Sequence, residues 1–279
     1  MKSDPPQTAD AAPANQSERR ILHWQDIESW QGPYLAALAD VINDRVIEEL
    51  QRLHQRFYGR DDLYWLDRLI WRVHRRRVQM EEEGVAALCD AFDAVRAFHG
   101  TRVPSPDAFR TGGLVPLNIK DAAESATRFF SAAFPRLQAA DFETARAALA
   151  SDAGRAGKVY FDLSRHELLT RSTHYLLYGS EYRMGFAANL PNPIACQAQL
   201  KRQGKPTLLA CDVPLDFISE ATLTELNRKC VRLIACRLKG LDIDMSVECF
   251  GFSIARSLPP ECVNGHEHPE KLHDWHAAY

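Results

Sequence analysis

The sequence predicts an α+β protein in which a helical amino-terminal region precedes a mixed domain of strands and helices. Apolar residues recur at helical spacing up to about position 94, and short apolar runs alternate with helical patterns after it. We therefore predict a disordered tail at 1–18, a helical region at 19–94, a mixed domain at 95–265 and a polar tail at 266–279.

Three helices are predicted in the helical region. The first covers 34–57, the second covers 61–84 and ends at Gly84, and the third covers 85–95. The first is supported by apolar residues at helical spacing: Leu35, Leu38, Val41, Ile42, Val46, Ile47, Leu50 and Leu53.

Four apolar runs in the mixed domain are predicted as strands, at 95–101, 158–164, 206–218 and 245–254. Helix starts are predicted between them. These are an N-cap at Ser105 with Pro106 at the first helical position and a glycine stop, and capping boxes at Ser164–Glu167 and Thr222–Glu225.

Composition and charge exclude several classes of protein. The formal net charge of −3 argues against a general attraction to nucleic acid, and no apolar run approaches the length of a membrane span. The start of the chain has no apolar core of the kind found in secretory signals. The seven cysteines are scattered without a CxxC pair, which predicts reduced core thiols and a cytoplasmic setting, in the producing cell or in a target cell.

Two other clusters carry weaker signals. Cys262, His266, His268, His273 and His276 fit no standard zinc spacing, so we expect no metal site. Basic and aromatic residues of the helical region are expected either to form a solvated helix face or to hold a partner such as nucleic acid; they are Arg68, Trp71, Arg72, Arg75 and Arg76.

Four pieces follow one another in an informative order: FHGTR at 98–102, GKVYFDL at 157–163, STHYLLYG at 172–179 and VECFGFSIA at 247–255. Each is weak when taken alone, because histidine and tyrosine on a strand are usually structural residues. Together, and with Gly113–Leu114 after the first piece, they resemble the ADP-ribosyltransferases of the diphtheria-toxin and poly(ADP-ribose) polymerase type.

The resemblance implies a split β-sheet core that binds NAD as a substrate. It implies a catalytic triad of His99, Tyr160 and Glu248, with Glu248 on the third strand. It also implies a set of NAD-binding residues, in which Tyr178 is the alternative to Tyr175 as a ring stacked on nicotinamide: His99, Gly100, Thr101, Tyr160, Phe161, Ser172 and Tyr175.

The reaction implied by the family breaks the bond between nicotinamide and ribose, and the sugar develops oxocarbenium character. Glu248 would stabilise this positive charge, and His99 would orient a ribose hydroxyl. Gly100 has no side chain and would let its backbone reach the carboxamide, while Tyr160 and Tyr175 would enclose the nicotinamide ring. Ser172 and Tyr175 are expected on one helix face.

The sequence therefore predicts an enzyme that moves ADP-ribose from NAD to a protein or nucleic-acid acceptor. Such a chain suits a bacterial toxin, a phage-defence enzyme or an injected effector, with an antitoxin or partner protein as a further expectation. Two alternatives stay open: a catalytically silent NAD-binding or docking module of the same fold, and an RNA 2′-phosphotransferase. The second would rely on Arg102 and Arg110 near the histidine.

Overall fold

A computed structural model describes residues 19–54, 62–149 and 155–274 of the chain, and they form an α+β fold. The predicted tail at 1–18 lies outside these ranges. The strands are β1 (Ile21–Leu22), β2 (Ala94–Val103), β3 (Val159–Asp162), β4 (Lys205–Pro214), β5 (Gly251–Ile254) and β6 (Val263–Glu267).

Helices make up most of the remaining structure. The described helices are α1 (Ile27–Ala37), α2 (Asp44–Arg52), α3 (Tyr64–His74), α4 (Met80–Ala91), α5 (Asp107–Gly112), α6 (Ile119–Ala133), α7 (Ala139–Leu149), α8 (Arg165–Thr170), α9 (His174–Tyr178), α10 (Glu181–Ala188), α11 (Pro193–Arg202) and α12 (Glu220–Leu238).

One sheet holds the six strands, and five of them follow the order β5-β3-β2-β4-β6. The two-residue β1 pairs in parallel with the start of β2, and the other pairings are antiparallel. β4 pairs with β2 over its whole length, from Ala94 to Val103. β3 pairs with β2 at a single position, Phe98 opposite Asp162. The sheet is therefore closed on one side of β2 and splayed on the other.

The helical region and the sheet share one hydrophobic core. Buried residues of α1 to α4 belong to the same cluster as those of β2, β4 and α12. Gly84 of α4 lies against Asn227 of α12, because a Cβ at Gly84 would meet the Asn227 side chain at 2.1 Å. The Asn227 amide donates to the Met80 carbonyl at 2.8 Å and accepts from the Tyr34 hydroxyl at 2.5 Å. The region at 19–94 thus packs as part of the main body.

The helix predictions in this region are right in type and wrong in extent. The predicted helix at 34–57 is two helices, α1 and α2, and residues 55–57 lie outside the described ranges. The predicted helix at 61–84 is interrupted after His74, where Arg75 takes a left-handed conformation with φ 56°. Gly84 does not end a helix. It lies inside α4, which also contains most of the predicted third helix.

The helix starts in the mixed domain agree in part with prediction. The Ser164 side chain caps α8 by accepting from the Glu167 N–H, as the capping box predicts. The second predicted box is wrong: α12 is capped by Ser219, which accepts from the Thr222 N–H. α5 begins one residue later than predicted, at Asp107, and ends before Gly113, which has φ 69°.

The predicted polar tail is not separate from the fold. Residues up to Glu267 complete β6, which pairs with β4. Beyond it, the His273 carbonyl accepts from the Thr173 hydroxyl at 2.7 Å, and Asp274 contacts Lys201 and Tyr178. These contacts hold the segment up to residue 274 against α9 and α11. Residues 275–279, including His276, lie outside the described ranges.

Candidate functional site

His99 lies on β2 immediately after the one residue that pairs with β3. Its Nδ1 donates to the Tyr160 carbonyl at 2.8 Å, because a carbonyl oxygen can only accept. This tautomer leaves Nε2 as an acceptor. Burial lowers the pKa of His99, and the bond to Tyr160 only partly opposes this effect. The ring is therefore neutral near pH 7, and its free nitrogen can accept from a hydroxyl group.

A cavity of about 400 Å³ opens where β2 and β3 separate, and we call it the cleft. Its walls come from β2, β3, β5, the segment around α8 and α9, and the start of α12. The lining residues are Phe98, His99, Gly100, Tyr160, Phe161, Asp162, Leu168, Ser172, Tyr175, Thr222, Gly251, Phe252 and Ser253.

Six of the seven predicted NAD-binding residues line the cleft: His99, Gly100, Tyr160, Phe161, Ser172 and Tyr175. The seventh, Thr101, lines an adjoining cavity of about 290 Å³, which we call the side cavity. The two cavities share His99, Gly100, Tyr160 and Tyr175. Residues that are up to 76 positions apart in the sequence therefore meet around one opening.

The two candidate tyrosines, Tyr175 and Tyr178, lie in different surroundings. Tyr175 lines both cavities. Tyr178 is 2% exposed, and its hydroxyl donates to Asp274 at 3.3 Å in a different part of the core. Gly100 lies close under Tyr175, because a Cβ at Gly100 would stand 3.0 Å from the Tyr175 Cβ. A larger residue at position 100 would displace the ring that closes the cleft.

Ser172 is at the cleft but not on a helix. The predicted single helix is interrupted between Thr170 and His174, and Ser172 occupies the connecting turn. Its hydroxyl donates to Glu167 at 3.1 Å. The prediction that Ser172 and Tyr175 share a helix face is therefore wrong, although the turn still brings both residues to the cleft.

The prediction that Glu248 lies on the third strand is wrong. β5 begins at Gly251, and its register places Ser253, not Glu248, opposite Tyr160. The Glu248 carboxylate pairs with Arg232 of α12 at 2.6 Å, and its carbonyl accepts from the Trp24 indole at 2.9 Å. Glu248 is not among the residues that line the cleft or the side cavity.

The carboxylate that does line the cleft is Asp162, which the sequence analysis missed. Asp162 follows Tyr160 by two positions on β3, so strand alternation places both side chains on one face of the sheet. The spacing of two residues between Tyr160 and Asp162 is therefore the sequence signal that points to Asp162. Burial raises the pKa of Asp162 to about 6 and outweighs a hydrogen bond from the Ser164 N–H that lowers it.

Charged groups of both signs line the side cavity next to the cleft, because Glu181 lines it as well as two cationic side chains. Arg155 and Lys158 line it, and the Arg155 guanidinium lies 5.9 Å from the Tyr160 ring centroid. Arg155 also pairs with Glu181, and Glu181 contacts His174 at 3.0 Å. The cleft and the side cavity together can therefore receive an aromatic ring and hydroxyl groups.

The predicted basic-aromatic face does not form a single surface. Arg68 and Trp71 line a groove between α3 and α4, whereas Arg72 lines a different cavity beside Glu48 and Glu49. Arg75 stacks over Trp71 at 5.0 Å, and Arg76 pairs with Glu83 at 3.8 Å. The groove has a volume of about 960 Å³ and is lined by Tyr64, Asp67, Arg68, Trp71, Arg77, Val78, Gln79, Glu82, Glu83 and Ala86.

Two arginines proposed for the phosphotransferase alternative lie elsewhere. Arg102 donates to the backbone carbonyls of Leu176, Lys201 and Gln203, so its guanidinium has a structural role. Arg110 contacts His266 at 3.4 Å on the surface. Within the described part of the chain, we find no group of three or more potential metal ligands and no helix that is long and apolar enough to cross a membrane.

No family model, curated protein or solved structure matches this chain. The geometry of the cleft and the sequence pieces that form it therefore provide the evidence on function.

Proposed function

We propose that this protein transfers ADP-ribose from NAD to a macromolecular acceptor, protein or nucleic acid, and releases nicotinamide. The observation that carries the proposal is the convergence of His99, Gly100, Tyr160, Ser172 and Tyr175 on one cleft. These residues belong to three of the sequence pieces that resemble ADP-ribosyltransferase motifs: FHGTR, GKVYFDL and STHYLLYG.

The chemistry of the lining residues supports a substrate with an aromatic ring and a sugar. Tyr160 and Tyr175 line the cleft, and aromatic rings of this kind stack on a flat cation such as the nicotinamide ring of NAD. His99 offers an acceptor nitrogen to a ribose hydroxyl, because its other nitrogen is held by the Tyr160 carbonyl. Gly100 leaves room for a carboxamide to approach the β2 backbone.

The biological setting of the proposal follows the sequence analysis. All seven cysteines are free, which supports a reducing compartment such as the cytoplasm. We propose a toxin, phage-defence or effector enzyme, with an antitoxin or other partner protein as a further element. The acceptor would approach the ribose at the mouth of the cleft.

A second candidate is a catalytically silent module that binds NAD or ADP-ribose without turning it over. It is favoured by one observation: Glu248, the expected catalytic acid, pairs with Arg232 away from the lining of the cleft. This candidate shares the binding residues of the first and differs only in turnover.

One assay separates the two candidates. The protein is incubated with NAD labelled in the adenosine half, with and without a cell lysate, and nicotinamide release and label in macromolecules are followed. The proposal expects release of nicotinamide and label that is sensitive either to protease or to nuclease. His99→Ala is the control for contaminating activity. NAD binding without release favours the silent module, and the absence of binding contradicts both candidates.

A further inference from the structure

Asp162 is placed at the cleft by the pairing of three strands. It stands opposite Phe98 of β2 on one side and opposite Gly251 of β5 on the other. Gly251 has no side chain to cover the carboxylate, and a Cβ built there would lie 3.4 Å from Asp162 Oδ2. Asp162 is 9% exposed and lines the cleft together with Tyr160. Its carboxylate therefore borders the same space as the histidine and the two tyrosines.

The Asp162 side chain is held in a fixed position. Oδ1 accepts from the Ser164 N–H at 2.6 Å, and Ser164 is fully buried where β3 leads into α8. Ser164 itself caps α8 through the Glu167 N–H and contacts Gln25 at 3.4 Å. A carboxylate oriented in this way needs little reorganisation when charge develops next to it.

The charged and titratable groups around Asp162 come from several elements. Glu167 of α8 raises its pKa, and Lys229 of α12 lowers it. His99 of β2 and Tyr175 of α9 share the cleft with it, and burial raises the pKa of Tyr175. Burial is the main cause of the pKa of about 6 for Asp162, so the group is mostly ionised at pH 7 and protonated at pH 5.

We propose that Asp162 is the catalytic carboxylate of this cleft, in the role that the sequence analysis gave to Glu248. The inference rests on the proposed function. In the reaction, the C1′–N bond of NAD breaks and its electron pair moves to the nicotinamide ring nitrogen, which becomes neutral. The ribose carbon becomes an oxocarbenium centre, which ionised Asp162 stabilises. A lone pair of the acceptor, or of water, then forms the new bond to C1′, and the proton it sheds passes to solvent.

The experiment compares two matched amide substitutions, Asp162→Asn and Glu248→Gln, in nicotinamide release and NAD binding. Each keeps the shape of its side chain and removes its charge. We expect Asp162→Asn to keep NAD binding and to lower the rate on the order of 10²–10³-fold. We expect Glu248→Gln to stay within a few-fold of the unaltered protein. The opposite ranking of the two variants overturns the inference.

A pH profile of the rate distinguishes a catalytic role of Asp162 from a structural one. The rate constant kcat/KM of the unaltered protein should rise with pH through a midpoint near 6, as Asp162 ionises. Glu248→Gln should keep this rise of kcat/KM with pH, and Asp162→Asn should lose it. If the rise of kcat/KM with pH persists in Asp162→Asn, it belongs to His99 and the inference is overturned. If Asp162→Asn does not fold, Asp162→Glu carries the test: a moved midpoint supports the inference, and an unchanged one overturns it.

The outcomes distinguish the inference from the function on which it rests. If the unaltered protein neither binds nor cleaves NAD, the proposed function fails and the inference falls with it. If the unaltered protein cleaves NAD and Asp162→Asn does so equally well, the inference alone is overturned. If Asp162→Asn binds NAD but does not cleave it, both are supported.

Discussion

The cleft and the groove are both concave, but they are built in opposite ways. The groove has a volume of about 960 Å³ and draws its lining from residues 64–86, a stretch of two neighbouring helices. The cleft has a volume of about 400 Å³ and draws its lining from residues 98–253. The groove is the larger space, and some of its lining side chains already have partners: Glu83 pairs with Arg76 outside the lining, and the Arg68 guanidinium lies 5.9 Å from the Tyr64 ring centroid.

This difference shows why cavity size is a poor guide to chemistry in this protein. The groove lies between two helices that follow one another in the sequence, so it needs no contact between distant parts of the chain. The cleft requires β2 and β3 to separate after a single pair, and its lining combines residues of these strands with residues of β5, of the segment around α8 and α9, and of α12. Polar residues held together by distant parts of a chain are more specific evidence of function than an open volume.

The largest effect that we expect from the cleft is on stability as a function of pH. The native pKa of Asp162 is about 6, above the ordinary 3.8. Below about pH 4 the group is protonated in both states, and its contribution to stability is fully present. As pH rises from 4 to 6, the unfolded chain loses the proton first, so the native state loses up to about 3 kcal/mol, the equivalent of two pKa units.

This pH effect is measured by urea unfolding of the unaltered protein and of Asp162→Asn at pH 4 and pH 7. The free energy of unfolding of the variant, relative to that of the unaltered protein, should increase between the two pH values. The Asn side chain keeps an oxygen to accept from the Ser164 N–H. An equal difference at both pH values would mean that Asp162 titrates normally.

A second substitution probes the shape of the cleft. Gly100→Val should displace Tyr175, because the Cβ alone would stand 3.0 Å from the Tyr175 Cβ. We expect NAD affinity to fall about 10- to 100-fold, the equivalent of about 1–3 kcal/mol of overpacking. Gly265→Val on β6 is the matched control, since a Cβ there meets no atom within 4 Å. Calorimetric titration with NAD measures both variants, and equal affinities would contradict the placement of Tyr175 at the ligand.

Substitutions in the groove should separate acceptor binding from NAD cleavage. Arg68 and Arg77 line the groove, whereas Arg72 lies outside it. If the groove holds the acceptor, Arg68→Glu with Arg77→Glu should lower macromolecular labelling about tenfold and leave nicotinamide release unchanged. Arg72→Glu is the control and should change neither. A lowered melting temperature with loss of both activities would instead give the groove residues a packing role.

The smallest effect is expected at Glu248. Its ion pair with Arg232 is partly exposed, with 20% and 38% of the two side chains accessible, so its loss should cost about 1 kcal/mol or less. Thermal unfolding of Glu248→Gln and of Arg232→Gln measures this cost. A loss of several kcal/mol in either variant would show that the pair is central to the fold.

Local patterns in the sequence predicted the elements of the cleft but not all of their contacts. The apolar run that predicts β2, the Ser164 capping box and the glycine stop at Gly113 depend on neighbouring residues, and each is confirmed. Glu248 was placed on a strand because apolar residues surround it. Glu248 instead lies in a loop whose backbone accepts a hydrogen bond from the Trp24 indole, and a contact across 224 positions leaves no periodic signal.

The helical region shows the same limit. Gly84 looks like a helix stop in the sequence, whereas its role is to let α4 approach Asn227 of α12. The interruption at Arg75 likewise has no proline or glycine beside it, so no helix-breaking residue in the sequence predicts it. The boundary predicted at position 94 falls within β2, whose first residue pairs with β1. This pairing joins residues far apart in the sequence, so no local pattern predicts it.

The single pair between β2 and β3 has a consequence for the backbone itself. Successive residues of an antiparallel strand direct their N–H and C=O groups alternately to its two sides, and β4 satisfies only one side of β2. Beyond Phe98, β3 no longer supplies partners on the other side, and the His99 ring already takes one Tyr160 carbonyl. A ligand with an amide group in the cleft would thus complete the hydrogen bonding of the sheet, as a missing stretch of strand would.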